Sequence, residues 1–294
     1  RAHRPAHGQR NKADRLTRLL LPAAVSYAQI MSTPGHTLFS CRNLRVDVSG
    51  RNLVDELEFD VGHGELLAVL GQNGSGKTLT MHTLAGLRPA SAGSIQLRGQ
   101  DITTSQRQEI ARHLALLPQH VDDIFPATVL DTAMIGRHPH IGRFQWESAE
   151  DFEIGHAALA AVDLAGLARR DVLTLSGGER RRLAIAQVLT QQPDVYLLDE
   201  PTNHLDPQHQ LDTLRLFREK ADAGAAIVAS LHDVNLAVRY ADRCLLLYGD
   251  GRWDLGRTDE VLDEQRLSRL YATPMESVSW RNTRLFVASG DVAP

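Results

Sequence analysis

Cysteine is scarce: only Cys41 and Cys244 occur in 294 residues, far apart and without metal-ligand spacing. That scarcity argues against a disulfide framework or a cysteine-based zinc site and suits a reducing compartment. A basic excess is missing as well. The 32 Lys and Arg residues against 36 Asp and Glu leave a net charge of −4, which argues against a general nucleic-acid binder. No apolar run approaches the ~20 residues that span a bilayer, so any work at a membrane requires a separate anchor. Low-complexity tracts, internal repeats and heptads are also absent. What remains is an ordinary globular composition, 43% hydrophobic and 23% charged, in a chain long enough for a large core.

The amino-terminal stretch needs separate treatment. Arg1, Arg4, Arg10, Lys12, Arg15 and Arg18 precede the short apolar run Leu19–Val25, an order that imitates a signal peptide. The chain opens on arginine rather than methionine, however, and Met31 begins a segment that runs into strand-like sequence. Arg1–Ile30 is therefore expected to be an upstream extension or disordered arm, and residues 31–294 a single domain.

Between Leu38 and Val61, short apolar runs split by Ser49-Gly50 and Gly62-His63-Gly64 predict several short antiparallel strands. Glu65–Leu70 reads as a buried strand, Gly71–Thr78 as a loop and Leu79–Leu87 as a helix that Pro89 forbids from continuing. Further strands are expected at Ser94–Leu97, Ala115–Leu117, Asp194–Leu198, Ala226–Ser230 and Leu245–Tyr248, with mostly helical sequence from Gln119 to Leu175. Strands interleaved with helices predict an α/β core with a parallel sheet. An N-terminal antiparallel β subdomain and an inserted α-helical subdomain, at about residues 120–175, complete the expected architecture.

Gly71-Gln72-Asn73-Gly74-Ser75-Gly76-Lys77-Thr78 fits G-x-x-x-x-G-K-[ST] at every fixed position. Glycines let phosphate oxygens approach the backbone, successive N–H groups form an anion nest, and the following helix adds its positive end. Lys77 is placed to reach the β- and γ-phosphates of a nucleotide and Thr78 to ligate Mg²⁺. A chance glycine-rich turn is the alternative, and the strand before and helix after count against it.

Val195–Leu198 ends in Asp199-Glu200, carboxylates at a strand's carboxyl end, where α/β sheets hold ligands. Beside a phosphate loop, Asp199 suits Mg²⁺ and Glu200 suits polarising a water; alone, the pair would read as a solvated turn. His232, just past Ala226–Ser230, is either a hydrogen-bonded structural histidine or a contact to the γ-phosphate. Leu175-Ser176-Gly177-Gly178-Glu179 offers a helix cap with two open glycines. That is a second anion site or simply an N-cap with a flexible turn.

These motifs together resemble the nucleotide-binding subunits of ABC transporters. Leu175–Glu179 resembles their signature, Gly71–Thr78 their Walker A loop and Val195–Glu200 their Walker B strand. Gln119 resembles the Q-loop glutamine, Leu205-Asp206 the D-loop and His232 the switch histidine, all in family order. The resemblance implies a P-loop NTPase core binding ATP and Mg²⁺, with Thr78, Gln119 and Asp199 at the metal. It further implies Glu200, His232 and Gln119 as catalytic groups. Two subunits would close head to tail, so that Ser176, Gly177, Gly178 and Glu179, with Asp206 nearby, meet the nucleotide of the partner. Val48 stands where the family usually carries an aromatic residue against adenine.

Within the family, several stretches resemble the ATPases of iron-siderophore, haem and cobalamin importers. They are Pro118-Gln119-His120, Phe125-Pro126-Ala127-Thr128-Val129, Gly136-Arg137-His138-Pro139-His140, Thr202–Asp206 and His232–Ala237. The likeness implies two separate integral membrane permease subunits, an indirect link to a periplasmic binding protein, and a peripheral place on the cytoplasmic face of the inner membrane. His138 and His140 read as a solvated loop rather than a metal site, lacking suitably spaced partners. A soluble ABC ATPase acting on nucleic acid or ribosomes is the competing class. Against it stand the missing coiled coil and the missing basic, aromatic-interleaved patch. A P-loop kinase leaves Leu175–Glu179 unexplained, and exporters often fuse membrane and ATPase segments.

Overall fold

The computed structural model describes residues 37–120, 126–142, 144–281 and 283–289. The arm expected at Arg1–Ile30, and Phe125, lie outside them.

β1 (Thr37–Val48) and β2 (Arg51–Gly62) form one long antiparallel hairpin where several short strands were expected. Ser49 and Gly50 join them with φ of 49° and 78°, the two positive values of the turn that matches strand twist. The breaks in the apolar pattern are bulges rather than chain reversals: the register slips between Cys41 and Leu44, where Asn43 has φ of 49°.

β3 (Leu66–Leu70), buried at every residue, leads through the glycine loop into α1 (Lys77–Leu84). This helix starts two residues before, and stops three before, the expected Leu79–Leu87. Lys77 and Thr78 already belong to its first turn. Its stop is Gly86, not Pro89: Gly86 has φ of 66° and donates to the Thr83 carbonyl while Leu87 donates to that of His82. That is the paired closure of a left-handed glycine cap. Leu87 consequently sits outside the helix, 64% exposed.

β4 (Ala92–Leu97) and β5 (Gln100–Asp101) complete a four-stranded antiparallel sheet in the order β2-β1-β4-β5. α2 (Arg107–His113) precedes β6 (Leu114–Leu117). Next come α3 (Val129–Met134), a 3₁₀ segment (Ile135–His140), α4 (Ala149–Ala161) and α5 (Gly177–Gln191). All three α-helices of this block open with a reciprocal capping box, Thr128 with Asp131, Ser148 with Asp151 and Ser176 with Glu179. α3 and α4 pack on α5, through Val129, Ala133, Ile154, Ala158, Leu183 and Leu189 among others.

The chain continues through β7 (Val195–Leu198), α6 (Pro207–Asp222), β8 (Ala226–Ser230), α7 (Val234–Tyr240) and β9 (Arg243–Leu247). β10 (Trp253–Arg257), α8 (Thr258–Val261), α9 (Glu264–Tyr271) and the hairpin β11 (Met275–Trp280)–β12 (Thr283–Ala288) follow. The second sheet has the order β10-β9-β3-β8-β7-β6, parallel except for β10. β3, β7 and β8 are buried throughout, as strands covered on both faces must be.

Gly136 and Arg137 bind the helical block together. A Cβ on Gly136 would lie 2.1 Å from both the Gln187 carbonyl oxygen and Thr190 Oγ1. Buried Arg137 meets Asp151 at 2.8 Å and donates to the Thr190 carbonyl at 2.9 Å. His140 accompanies them, with Nε2 2.8 Å from the Gln191 carbonyl oxygen, while burial lowers its pKa. The packing predicts that Gly136→Ala destabilises the chain by roughly 2–3 kcal/mol, the scale of overpacking, read as a lower midpoint in urea unfolding.

Candidate functional site

Four neighbouring parallel strands end at one edge. In the spatial order β3-β8-β7-β6, their carboxyl ends deliver the glycine loop, His232, Asp199-Glu200 and Gln119 respectively. Ligands of open α/β sheets bind outside such ends. The residues Thr78, Gln119, Glu200 and His232, scattered over the sequence, form one hydrogen-bonded cluster.

The loop residues Gly71, Gln72, Asn73, Gly74, Ser75 and Gly76 curl before α1. Gly74 and Gly76 have φ of 80° and 99°, a region that side chains rarely enter. A Cβ on Gly71 would lie 2.6 Å from the Leu247 carbonyl oxygen. Inside the curl, Lys77 donates to the carbonyls of Gly71 at 2.8 Å and Gln72 at 3.2 Å. Burial lowers the Lys77 pKa, and the charges of Glu200 and Asp199 oppose that shift. Its ammonium is thus nearly removed from water before any anion arrives.

Asp199 is fully buried at the end of β7. Its Oδ1 accepts from Ser230 Oγ at 2.6 Å, whereas Oδ2 is buried with no hydrogen-bond partner among the described residues. A buried carboxylate oxygen left alone in that way suits a cation. Thr78 Oγ1 donates to Gln119 Oε1 at 3.4 Å, so two further oxygens of hard-cation type meet at the same sheet edge. Residues and chemistry therefore fit Mg²⁺.

Glu200 has φ of 51°, a left-handed conformation costing a bulky residue about 1 kcal/mol or more. Its backbone is over-determined: Glu200 N donates to Ser230 Oγ at 2.8 Å and Asn203 N donates to the Glu200 carbonyl at 3.1 Å. Its carboxylate is engaged on both oxygens. Gln119 Nε2 donates to Oε2 at 2.8 Å, the Asn203 amide donates to the same atom, and His232 Nε2 lies 2.5 Å from Oε1. The Glu200 side chain is 5% exposed and that of His232 is 42% exposed, so the histidine is the partner with room to move.

Ser176, Gly177, Gly178 and Glu179 do not join this cluster. Ser176 Oγ accepts from Glu179 N at 3.3 Å, and Glu179 Oε2 accepts from Ser176 N at 2.7 Å. Added Cβ atoms would meet nothing within 4 Å at Gly177 and only the His204 carbonyl oxygen, at 3.4 Å, at Gly178. Asp206 caps α6, accepting from His209 N at 3.0 Å, with its second oxygen 2.8 Å from His209 Nδ1. Val48 lies at the hairpin end, half-buried against the antiparallel sheet's core.

Ser230 and Arg181 belong to the site without having been singled out in the sequence, and Asn203 was noted only within the importer-like stretch Thr202–Asp206. Ser230 closes an apolar strand, where a lone hydroxyl is the visible signal. Arg181 sits in the run Arg180-Arg181-Arg182, which reads as a solvated face. Yet it shares a stripe with buried Ala184, Ile185 and Val188 at i+3, i+4 and i+7.

Comparison with known proteins shows the family. The family profile described as ABC transporter matches residues 54–203. The hemin import ATP-binding protein HmuV of Streptomyces coelicolor is 40% identical over 246 residues, 83% of this chain and 87% of that protein. The petrobactin import ATP-binding protein FpuD of Bacillus anthracis is 39% identical over 214 residues, 72% of this chain and 78% of that one. Among solved structures, an inward-facing transporter assigned to the metal-chelate type superposes with a TM-score of 0.75 at 29% identity. It covers 87% of this chain and 98% of its own. The chain belongs to the ABC transporter family, as one of its ATPases.

Proposed function

We propose that this chain drives import of an iron chelate, haem or cobalamin through a separate membrane permease. What carries the reading is the single cluster at the ends of β3, β8, β7 and β6, joined to similarity with ATP-binding proteins named for hemin and petrobactin import. Among the described residues no helix is long and apolar enough to cross a membrane, which is compatible with a peripheral ATPase on the cytoplasmic face.

The backbone amides of Gly71–Gly76 and the Lys77 ammonium would hold the β- and γ-phosphates of ATP. Thr78, Asp199 and Gln119 would hold Mg²⁺, which supplies charge neutralisation between the phosphates. Glu200 would accept a proton from the attacking water as an oxygen–phosphorus bond forms and the bridge to ADP breaks. For that, one carboxylate oxygen must be released, and half-exposed His232 is the partner suited to swing toward the γ-phosphate. Phosphate is then the second product.

Ser176 and Gly177, exposed at the start of α5, and half-buried Gly178 would meet the γ-phosphate held by a second copy. The homodimer would thus enclose two nucleotides and exclude water. Asp206 would lie beside that shared surface. Two permease subunits would complete the transporter, and a periplasmic binding protein would deliver the cargo to them.

Glu200→Gln should keep ATP binding, lose turnover by about 100-fold or more and accumulate as an ATP-bound dimer, read by calorimetry, phosphate release and size-exclusion chromatography. Near-parental hydrolysis removes Glu200 from its role. Ser176→Arg should bind ATP normally as a monomer but not pair; turnover with ATP-dependent dimerisation in that variant defeats the shared site.

A further inference from the structure

α5 links the two halves of the proposed machinery, and Arg181, in its second turn, makes the link. The Arg181 side chain is buried at the centre of the helix–sheet junction. Nη1 donates to the carbonyl of Pro118 at 2.6 Å and that of Gln119 at 3.3 Å. Nη2 donates to the carbonyls of Asp199 and Glu200, both at 2.7 Å, and Nε to that of Pro201 at 3.4 Å. A guanidinium has five N–H donors in a rigid fork. The groups they reach are all peptide carbonyls, on the two segments that carry Gln119 and Glu200.

This arrangement is unusual for a buried cation, because among the described residues Arg181 pairs with no carboxylate oxygen. Burial pulls its pKa down to about 10, and the charges of Asp199 and Glu200 oppose the shift. The guanidinium therefore stays ionised at neutral pH, among dipoles and within the field of the acidic pair. Glu200 needs such restraint: its left-handed backbone has its own carbonyl gripped by Nη2, with the carbonyls before and after it held by the same fork.

We propose that Arg181 is a positioning residue for ATP hydrolysis, locking the backbones of Gln119 and Glu200 to the second turn of the helix whose first turn carries Ser176–Gly178. Any shift of α5 then moves the carbonyls beneath the catalytic carboxylate. Engagement of the helix start is thereby converted into orientation of Glu200. Lysine cannot replace the fork, since one ammonium cannot span both segments. The proposal rests on the reading of Glu200 and Gln119 given above.

The test uses the purified full chain carrying Arg181→Gln or Arg181→Lys, with Glu200→Gln alongside, measuring ATP affinity by calorimetry, steady-state turnover and thermal midpoint. Both Arg181 variants should bind ATP within about threefold of the parent, because the phosphate loop is untouched, while kcat falls by about tenfold or more. Lysine should fail to restore kcat. The proposal is overturned if either folded variant keeps kcat near the parent's, or if affinity falls in step with kcat as general loosening would produce. Full rescue by lysine leaves only a charge effect and overturns the fork. If neither variant folds, Arg181 is a folding residue and the proposal falls. Active Glu200→Gln would instead defeat the underlying reading, whereas inactive Glu200→Gln beside an active Arg181 variant defeats only this proposal.

Discussion

A lysine ammonium withdrawn from water and aimed into a curl of backbone amides is the interaction on which the rest depends. Among the described residues Lys77 has the carbonyls of Gly71 and Gln72 as hydrogen-bond acceptors, at 2.8 and 3.2 Å. Its charge is offset at longer range by Glu200 and Asp199. Such a cation is poorly solvated at rest, so a polyphosphate that enters meets donors already stripped and oriented. Every element around it serves that preorganisation. The parallel strands bring acidic and amide groups to the same edge, and the two cores on either side of the sheet fix the edge in place.

The acidic half of the site is restrained by unusual means. Ser230 satisfies Asp199 Oδ1 and the Glu200 amide together, leaving Asp199 Oδ2 without a hydrogen-bond partner among the described residues. Arg181 holds the carbonyls of Asp199, Glu200 and Pro201 from behind. The carboxylate of Glu200 is occupied by Gln119, Asn203 and His232. Both oxygens of that carboxylate therefore have partners, of which His232 is the most exposed.

Legibility in the sequence followed the range of each interaction. The phosphate loop, the apolar strands at Leu66–Leu70, Val195–Leu198 and Ala226–Ser230, and the Asp199-Glu200 terminus depend on neighbours in the chain, and the sequence displays them. Capping boxes at Thr128, Ser148 and Ser176 are local signals of the same kind. What depends on distant partners was opaque. Bulges at Asn43 made two long strands look like several, because unpaired residues resemble turns when the partner strand is unknown. Gly86 closed α1 where Pro89 drew attention. Arg181 looked solvated because its acceptors lie 18 to 63 residues away. The motif Gly136–His140, noticed as a family mark, turned out to be a packing requirement between a 3₁₀ segment and α5.

The most direct measurement is a calorimetric titration of ATP into the folded chain with and without Mg²⁺. The cradle around Lys77 predicts saturable binding, and the proposed role of Asp199 predicts that it tightens when Mg²⁺ is present. A folded chain that takes up no ATP, or binds it with no response to Mg²⁺, contradicts the account at its base.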